Sequence, residues 1–444
     1  MKKIVKILNI LIFLISYSLE ANTLKTNTYT LQMCIARALQ NNAEIKESAR
    51  EIDIYSSKLD EAKAVFTPKV DILTFLAPTY EIKGDIYSYE KNYNKWGPYY
   101  HLGLQITMPI YTFGKVEAYK KAAENGILYA KNKKLEKEVE IVLDIKKYYY
   151  GYILADKLSK LVLEVKKTLA DAIEQAEEIY SAGKGEVKKS DIERLKVYMA
   201  ELKINEIKAD KFVSLTRSAL FFKMGIKETN RIVFKKIPLR PIRQKLKPLD
   251  FYIESSLKNR PEMKQIMAGL KAKKALVEAE KCSFYPDVFV AGQLNYNWAS
   301  VIDDQDNPWL NDPYNGLDGG VALGVKYYFD YKTIKAKIKG AQADYDKLLE
   351  KYQFAKKAIS LQVKKTYMET VELQKKIKFL KDEVKAASSW MRSAGLLYAT
   401  GTGSAKDALE GLAAYAIARQ KYYTAIYDYN VKLAELLNVA GIKD

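Results

Sequence analysis

Histidine and cysteine are nearly missing from this chain: His101, Cys34 and Cys282 are all it has in 444 residues. One imidazole supports neither a histidine-based metal cluster nor a Ser-His-Asp arrangement. Two thiols in unrelated helical patterns make no disulfide framework and read as small core residues. Glycine (21) and proline (11) are scarce, so most of the chain is expected to be regular structure. Beyond the N-terminus no apolar run approaches the ~18 residues of a membrane helix. That leaves a membrane barrel open, because a barrel strand carries apolar residues only at alternate positions. Gly183-Lys184-Gly185 lacks the spacing of a phosphate loop. Asp303, Asp304, Asp306 and Asp312 lack the order of a calcium-binding loop and read as a solvated loop. Neither an enzyme nor a cofactor is expected.

Lysine and tyrosine are abundant. The formal net charge is +19, and 34 residues are tyrosine. Lysines alternate with acids along helical stretches, as between Lys131 and Glu138, so they read as solvated helix faces and not as a nucleic-acid patch. Residues 1–21 have the form of a secretory signal. Lys2, Lys3 and Lys6 precede the short apolar run Ile7–Ile15, and Leu19-Glu20-Ala21 suits cleavage. No cysteine lies near that site to accept a lipid.

The chain is organised around Tyr99–Ala118. Leu102, Leu104, Ile106, Met108 and Ile110 alternate with polar or small residues, which is the period of a strand with one apolar face. At Gly114 the period changes, and a single helix of roughly 65 residues, on the order of 100 Å, is expected to follow. The stretch recurs: Tyr111-Thr112-Phe113 corresponds to Phe329-Asp330-Tyr331, 218 positions later. Leu31, Asn41, Glu44, Pro68, Tyr149, Tyr180 and Gly183 keep the same offset to Leu249, Asn259, Glu262, Pro286, Tyr367, Tyr398 and Gly401. An offset held this far is an internal duplication. The expected order is a signal peptide (1–21), a first repeat (22–226), a basic linker (227–247) and a second repeat (248–444). Each repeat opens with two helices. Two strands follow, about 68–80 and 99–112 in the first repeat, 286–298 and 317–330 in the second. Polar loops separate the strands at 81–98 and 299–315. A long helical hairpin closes each repeat, with tips near 183 and 401. Leu154, Leu158, Leu161, Val165 and Leu169 step by three and four, as a coiled-coil seam does.

Four strands cannot close a barrel, because membrane barrels begin at eight, and an open edge in lipid leaves backbone groups unpaired. The barrel must therefore be shared between chains. Two chains would give eight strands and a filled interior, whereas three would give twelve and room for a channel.

The signal peptide, duplicated halves, Pro-opened strand pairs and tips Tyr180-Ser181-Ala182-Gly183 and Tyr398-Ala399-Thr400-Gly401 resemble the TolC family of outer-membrane efflux proteins. The resemblance covers essentially all of Thr30–Ile442. It implies a mainly α fold with a small β part: helical hairpins forming a periplasmic tunnel, and a four-strand share of a trimeric twelve-stranded barrel. It implies an outer-membrane location with a long periplasmic part. The implied partners are two further copies, outer-membrane lipid, a periplasmic adaptor and a proton- or ATP-driven inner-membrane pump. The implied role is the passive exit duct of an efflux or type I secretion system, gated at its periplasmic end. Asp407 and Glu410, three apart on the return helix, fall on the family's acidic pair at the closed end, and Tyr398 on its tip tyrosine. Other members carry arginine where this chain has Gly403, and alanine where it has Gly411. Gly183, Lys184, Gly185, Gly401, Thr402 and Gly403 are expected to form adaptor-docking tips. Tyr99, Tyr100, Tyr111, Tyr296, Trp298, Tyr327 and Phe329 are expected as interfacial aromatics. A basic periplasmic coiled-coil protein, structural or nucleic-acid-binding, is the alternative reading; it accounts for the helices and charge but not for the signal peptide or strands.

Overall fold

A computed structural model of the chain describes residues 27–85, 87–183, 187–229, 231–305, 307, 309, 311–400 and 402–442. The signal segment 1–21 and the tip residues Lys184, Gly185 and Gly401 lie outside the described residues. In chain order the elements are β1 (Asn27–Tyr29), α1 (Leu31–Asn41), α2 (Ala43–Ala64), β2 (Lys69–Gly84), β3 (Tyr89–Tyr111), α3 (Lys115–Ser181) and α4 (Lys189–Met224). There follow β4 (Ile232–Phe234), α5 (Leu249–Asn259), α6 (Pro261–Lys281), β5 (Asp287–Ala299), β6 (Gly316–Lys326), α7 (Tyr331–Ala399) and α8 (Ala405–Val439). They fall into two compact units. One holds residues up to Lys46, Glu136–Leu257 and Ile359 onward; the other holds Glu47–Leu135 and Lys258–Ala358.

The first unit is helical. Ile145, Tyr149 and Ile153 of α3, Leu220 and Phe221 of α4, and Ile426, Tyr429 and Leu433 of α8 share one core with Cys34 and Ala38 of α1. Further along the hairpins a second core joins Leu161, Val165 and Leu169 to Ile192 and Leu195, Ala387, and Leu409, Leu412 and Tyr415. The three- and four-residue steps in the sequence are therefore the seams between hairpins. Asn42 fixes the α1–α2 corner. Its Oδ1 accepts from the Glu44 and Ile45 amides, and its Nδ2 donates to the Lys223 carbonyl 2.9 Å away at the end of α4. Gly225 ends α4 with φ +65, and a Cβ there would lie 2.6 Å from the Asn41 carbonyl oxygen. Gly225→Ala is expected to destabilise this unit by about 2 kcal/mol or more, from left-handed strain together with a clash against backbone. A lower thermal midpoint of helical circular dichroism is the readout, and an unchanged midpoint contradicts the argument.

The linker holds more order than its composition suggests. Ile232–Phe234 pairs in parallel with Asn27–Tyr29, and Asn430 of α8 hydrogen-bonds Arg240 and Ile242.

The second unit is built on one antiparallel sheet of order β2-β3-β5-β6. The polar loop expected at 81–98 is instead mostly strand. β2 runs to Gly84 and β3 starts at Tyr89, paired from Lys69↔Thr107 through Gly84↔Tyr89 with one irregularity after Tyr80. The turn is short because Asp85 Oδ1 accepts from the Tyr87 and Ser88 amides. At the other end β6 stops at Lys326, so Tyr327–Phe329 lie beyond the strand expected to run to 330. Asp330 caps α7 there: its Oδ1 accepts from the Thr333 amide. The matching corner after β3 turns through Phe113 (φ +47) and Gly114 (φ +88) into α3.

Candidate channel wall and gate

The register sorts the sheet into two faces. Val70, Ile72 and Leu76 of β2 lie opposite Ile106, Leu104 and Tyr100 of β3. Leu104, Leu102 and Met108 in turn meet Leu294, Tyr296 and Val290 of β5, and Val290 and Val288 meet Leu323 and Val325 of β6. One face is thus apolar across all four strands, although Leu76 is 70% and Val321 81% exposed. Apolar surface of this extent on the outside of a sheet matches hydrocarbon better than water.

The opposite face is mainly polar, with Leu73, Phe75 and Phe289 as apolar exceptions. Asn295 Nδ2 donates to Asp318 at 3.0 Å, and His101 Nδ1 lies 2.6 Å from Asn297 Oδ1. Gln105 pairs with Gln293. Gly320 leaves open space on this face, whereas the His101 ring lies over Gly103 and the Phe289 ring over Gly324. Such a surface suits the water-filled side of a barrel.

Aromatic residues gather at both ends of the apolar face. Tyr80, Trp96, Tyr100, Tyr296 and Trp298 stand at the turn end, with Tyr100 and Tyr296 ring centroids 6.3 Å apart. Tyr111, Phe113, Tyr285, Tyr327 and Phe329 stand at the helix end, where Tyr111–Phe113 centroids are 4.7 Å apart and Tyr327–Phe329 centroids 4.4 Å. Along β5 the two rows are ten residues apart, from Trp298 to Val288 opposite Tyr111. At ~3.3 Å per residue and a barrel tilt near 40° this is about 25 Å of height, the size of a membrane β-barrel's apolar band. Of the expected interfacial aromatics, Tyr99 stands apart. It lies on the polar face, near Phe75, and its hydroxyl donates to Asn297.

The hairpin ends carry the other expected residues. The second turn is tied by the Thr402 and Gly403 amides, both bonded to the Leu397 carbonyl, and by the Thr400 hydroxyl on Leu396. A Cβ on Gly403 would come within 2.9 Å of the Leu397 and Tyr398 backbone, so the turn itself demands glycine. Gly183, at φ +65, faces open space. Ser404 Oγ caps α8 by accepting from the Asp407 amide at 3.1 Å. The Asp407 carboxylate accepts from Trp390 Nε1 at 3.0 Å, which ties the start of α8 to α7. The helices are close here because Gly411 has no side chain; a Cβ would sit 3.1 Å from Met391 Cα. Glu410 is exposed, with Lys406 3.9 Å away one turn earlier. Tyr398 is buried and its hydroxyl has no partner among the described residues. Burial, and then the Asp191 carboxylate, push its pKa up.

One cluster went unread in the sequence. Tyr415 donates to Glu164 Oε1 at 2.8 Å and accepts from Arg419, which also reaches Tyr423. This ties α8 to α3 across the two hairpins. The spacing Tyr415, Arg419, Tyr423, four apart on one helix face, was the available signal.

A sheet with one apolar and one polar face, aromatic rows about a membrane apart, and helical hairpins are the features of an outer-membrane efflux protein. The chain belongs to the outer membrane efflux protein family, whose model matches residues 34–211 and 252–442. It is similar in fold to CusC, with 14% identity, 94% of each chain covered and a TM-score of 0.77. It is likewise similar to the outer membrane protein VceC of Vibrio cholerae, with 16% identity over 93% of this chain and 96% of that one, TM-score 0.74. A shorter stretch of 93 residues is 32% identical to "Toxin and drug export protein A" of Aggregatibacter actinomycetemcomitans, spanning 21% of this chain and 18% of that relative. Family and fold are those of channels.

Proposed function

We propose that three copies of this chain form a passive exit duct in the outer membrane, working with a periplasmic adaptor and an inner-membrane pump. The observation that carries the reading is the open sheet. Among the described residues β2 from Lys69 to Tyr80 and β6 each have a free edge, Ile82 being bridged to Ile302, while the apolar face calls for lipid on its outside. Three copies bring twelve strands and a polar lumen. The helices support assembly with further copies. Phe354, Leu361 and Met368 recur every seven residues along α7 and are 73%, 68% and 59% exposed. On α4, Ile207, Leu215 and Phe222 are exposed as well. These are coiled-coil seams without partners in the single chain. The gate is proposed at the hairpin ends, with Asp407 and Glu410 facing the lumen and Tyr398 packed behind them. Gly183, Lys184, Gly185, Gly401, Thr402 and Gly403 would present the adaptor-docking tips.

The test is cross-linking of the full chain after detergent extraction from the outer-membrane fraction. A band at three times the chain mass and conductance in planar bilayers are expected. A monomer that conducts, or a chain confined to the soluble periplasm, overturns the proposal.

A further inference from the structure

We infer that the start of α7 binds the phosphate-bearing headgroups of anionic phospholipids in the leaflet at the helix end of the barrel. The inference rests on the membrane reading above but concerns a different property. From Tyr331 to Ala343 the chain carries Lys332, Lys335, Lys337 and Lys339 and no carboxylate; the next acid is Asp344. All four lysines are exposed, and none has a carboxylate partner among the described residues. Ile334 is buried beneath them, so Lys332, Lys335 and Lys339, at helical spacings of three and four, stand on the outer side of the same turns. The nearest acid in sequence, Asp330, is engaged as the helix cap.

The first repeat lacks this feature. At the matching corner Lys115 is bound to Asp287 at 2.9 Å and Lys120 to Glu117 at 2.8 Å. Lys121 is exposed there too, but it stands alone and four residues from Glu117, so the unbroken run of free positive charge belongs to one corner.

What adjoins the lysines points to lipid. Tyr328, Phe329 and Tyr331 precede them and are 62%, 93% and 64% exposed. Lys335 Nζ stands 5.6 Å from the Tyr331 ring centre. These aromatics continue the row that ends the apolar face at this side. Immediately past such a row lie headgroups, and a run of lysines there meets their phosphates. Free phosphate would find the same charges but no use for the exposed rings.

The test uses the full chain in detergent, titrated with phosphatidylglycerol or phosphatidylethanolamine and read by native mass spectrometry. Wild type should retain phosphatidylglycerol in preference to phosphatidylethanolamine. Replacing all four lysines by glutamine should weaken that retention roughly 10- to 100-fold, since each lysine near a headgroup layer is worth up to a factor of about five. The four-arginine variant should keep it, as should a control with Lys167, Lys203 and Lys208 changed to glutamine. Equal retention by wild type and the glutamine variant, or no preference over phosphatidylethanolamine, overturns the inference while leaving the channel reading intact. Complete displacement by millimolar inorganic phosphate overturns it too, by showing a plain anion site. Failure of the channel reading would appear separately, as absence of the wild type from the outer-membrane fraction.

Discussion

A chain carrying Leu361→Glu with Met368→Glu is expected to appear as a monomer after detergent extraction and to give no channels. Both side chains belong to the exposed seven-residue stripe of α7. Burying each against a neighbouring copy would contribute about 1.5–3 kcal/mol, so each interface would lose about 3–6 kcal/mol before any charge is counted. That alone is a factor of roughly 10² to 10⁴ per interface. The glutamates then add carboxylates to a surface that must dry on assembly. Because both sites are open to water in the single chain, its own fold should survive. Helical circular dichroism should be unchanged while cross-linked trimer disappears. Trimer at wild-type levels would show that this stripe faces something other than a second copy.

The second large effect concerns the hairpin ends. Asp407 and Glu410 are both exposed at the start of α8. Two per chain would put six carboxylates around a threefold axis and concentrate cations at a narrow mouth. Trivalent cations added at the helix end of the channel should then block conductance in planar bilayers. Replacing both acids by alanine should raise the half-blocking concentration at least ~10-fold. Lys406 beside Glu410 tempers the charge, so Lys406→Gln should strengthen the block. Trp390→Phe offers a separate handle. It removes the indole donor from Asp407 without removing charge, so the block should persist while spontaneous openings become more frequent. Unaltered block in the double-alanine variant would mean that these acids do not line the lumen and serve the helix dipole instead.

The parts of the fold that repeat a period were legible in the sequence. β3 and β5 alternate, and the hairpins carry three–four seams, because one face of each must be dry. β2 was harder to read, since Leu73 and Phe75 place apolar side chains on the polar face between Ile72 and Leu76. The stretch 81–98 was misread for a physical reason. Outside hydrocarbon a hairpin needs no apolar face, so Lys83, Glu90, Lys91 and Asn92 are as acceptable in strand as in loop, and long-range pairing decides. The three-residue pair of β1 and β4 is too short to show a period. Among the candidate site residues, the acidic pair and tip tyrosine came from resemblance, while their contacts depend on partners distant in sequence. Nothing near Asp407 in sequence announces Trp390, and nothing near Tyr415 announces Glu164. Tyr99 illustrates the limit of position alone: one residue's shift from Tyr100 moves it to the other face.

The free edges of β2 and β6 also constrain how the protein can reach its membrane. A lone four-stranded sheet cannot enter hydrocarbon, because each unpaired edge group costs several kcal/mol there. Closure between copies removes that cost all at once and not strand by strand. Membrane entry must then wait on association, so its rate should rise steeply with the concentration of exported chains. If three copies close the barrel as proposed, each chain holds an apolar sheet face and two open edges in water until they have met. Newly exported subunits would then pass through a stage that calls for a chaperone, and a shortage of chains would hold those already exported outside the bilayer.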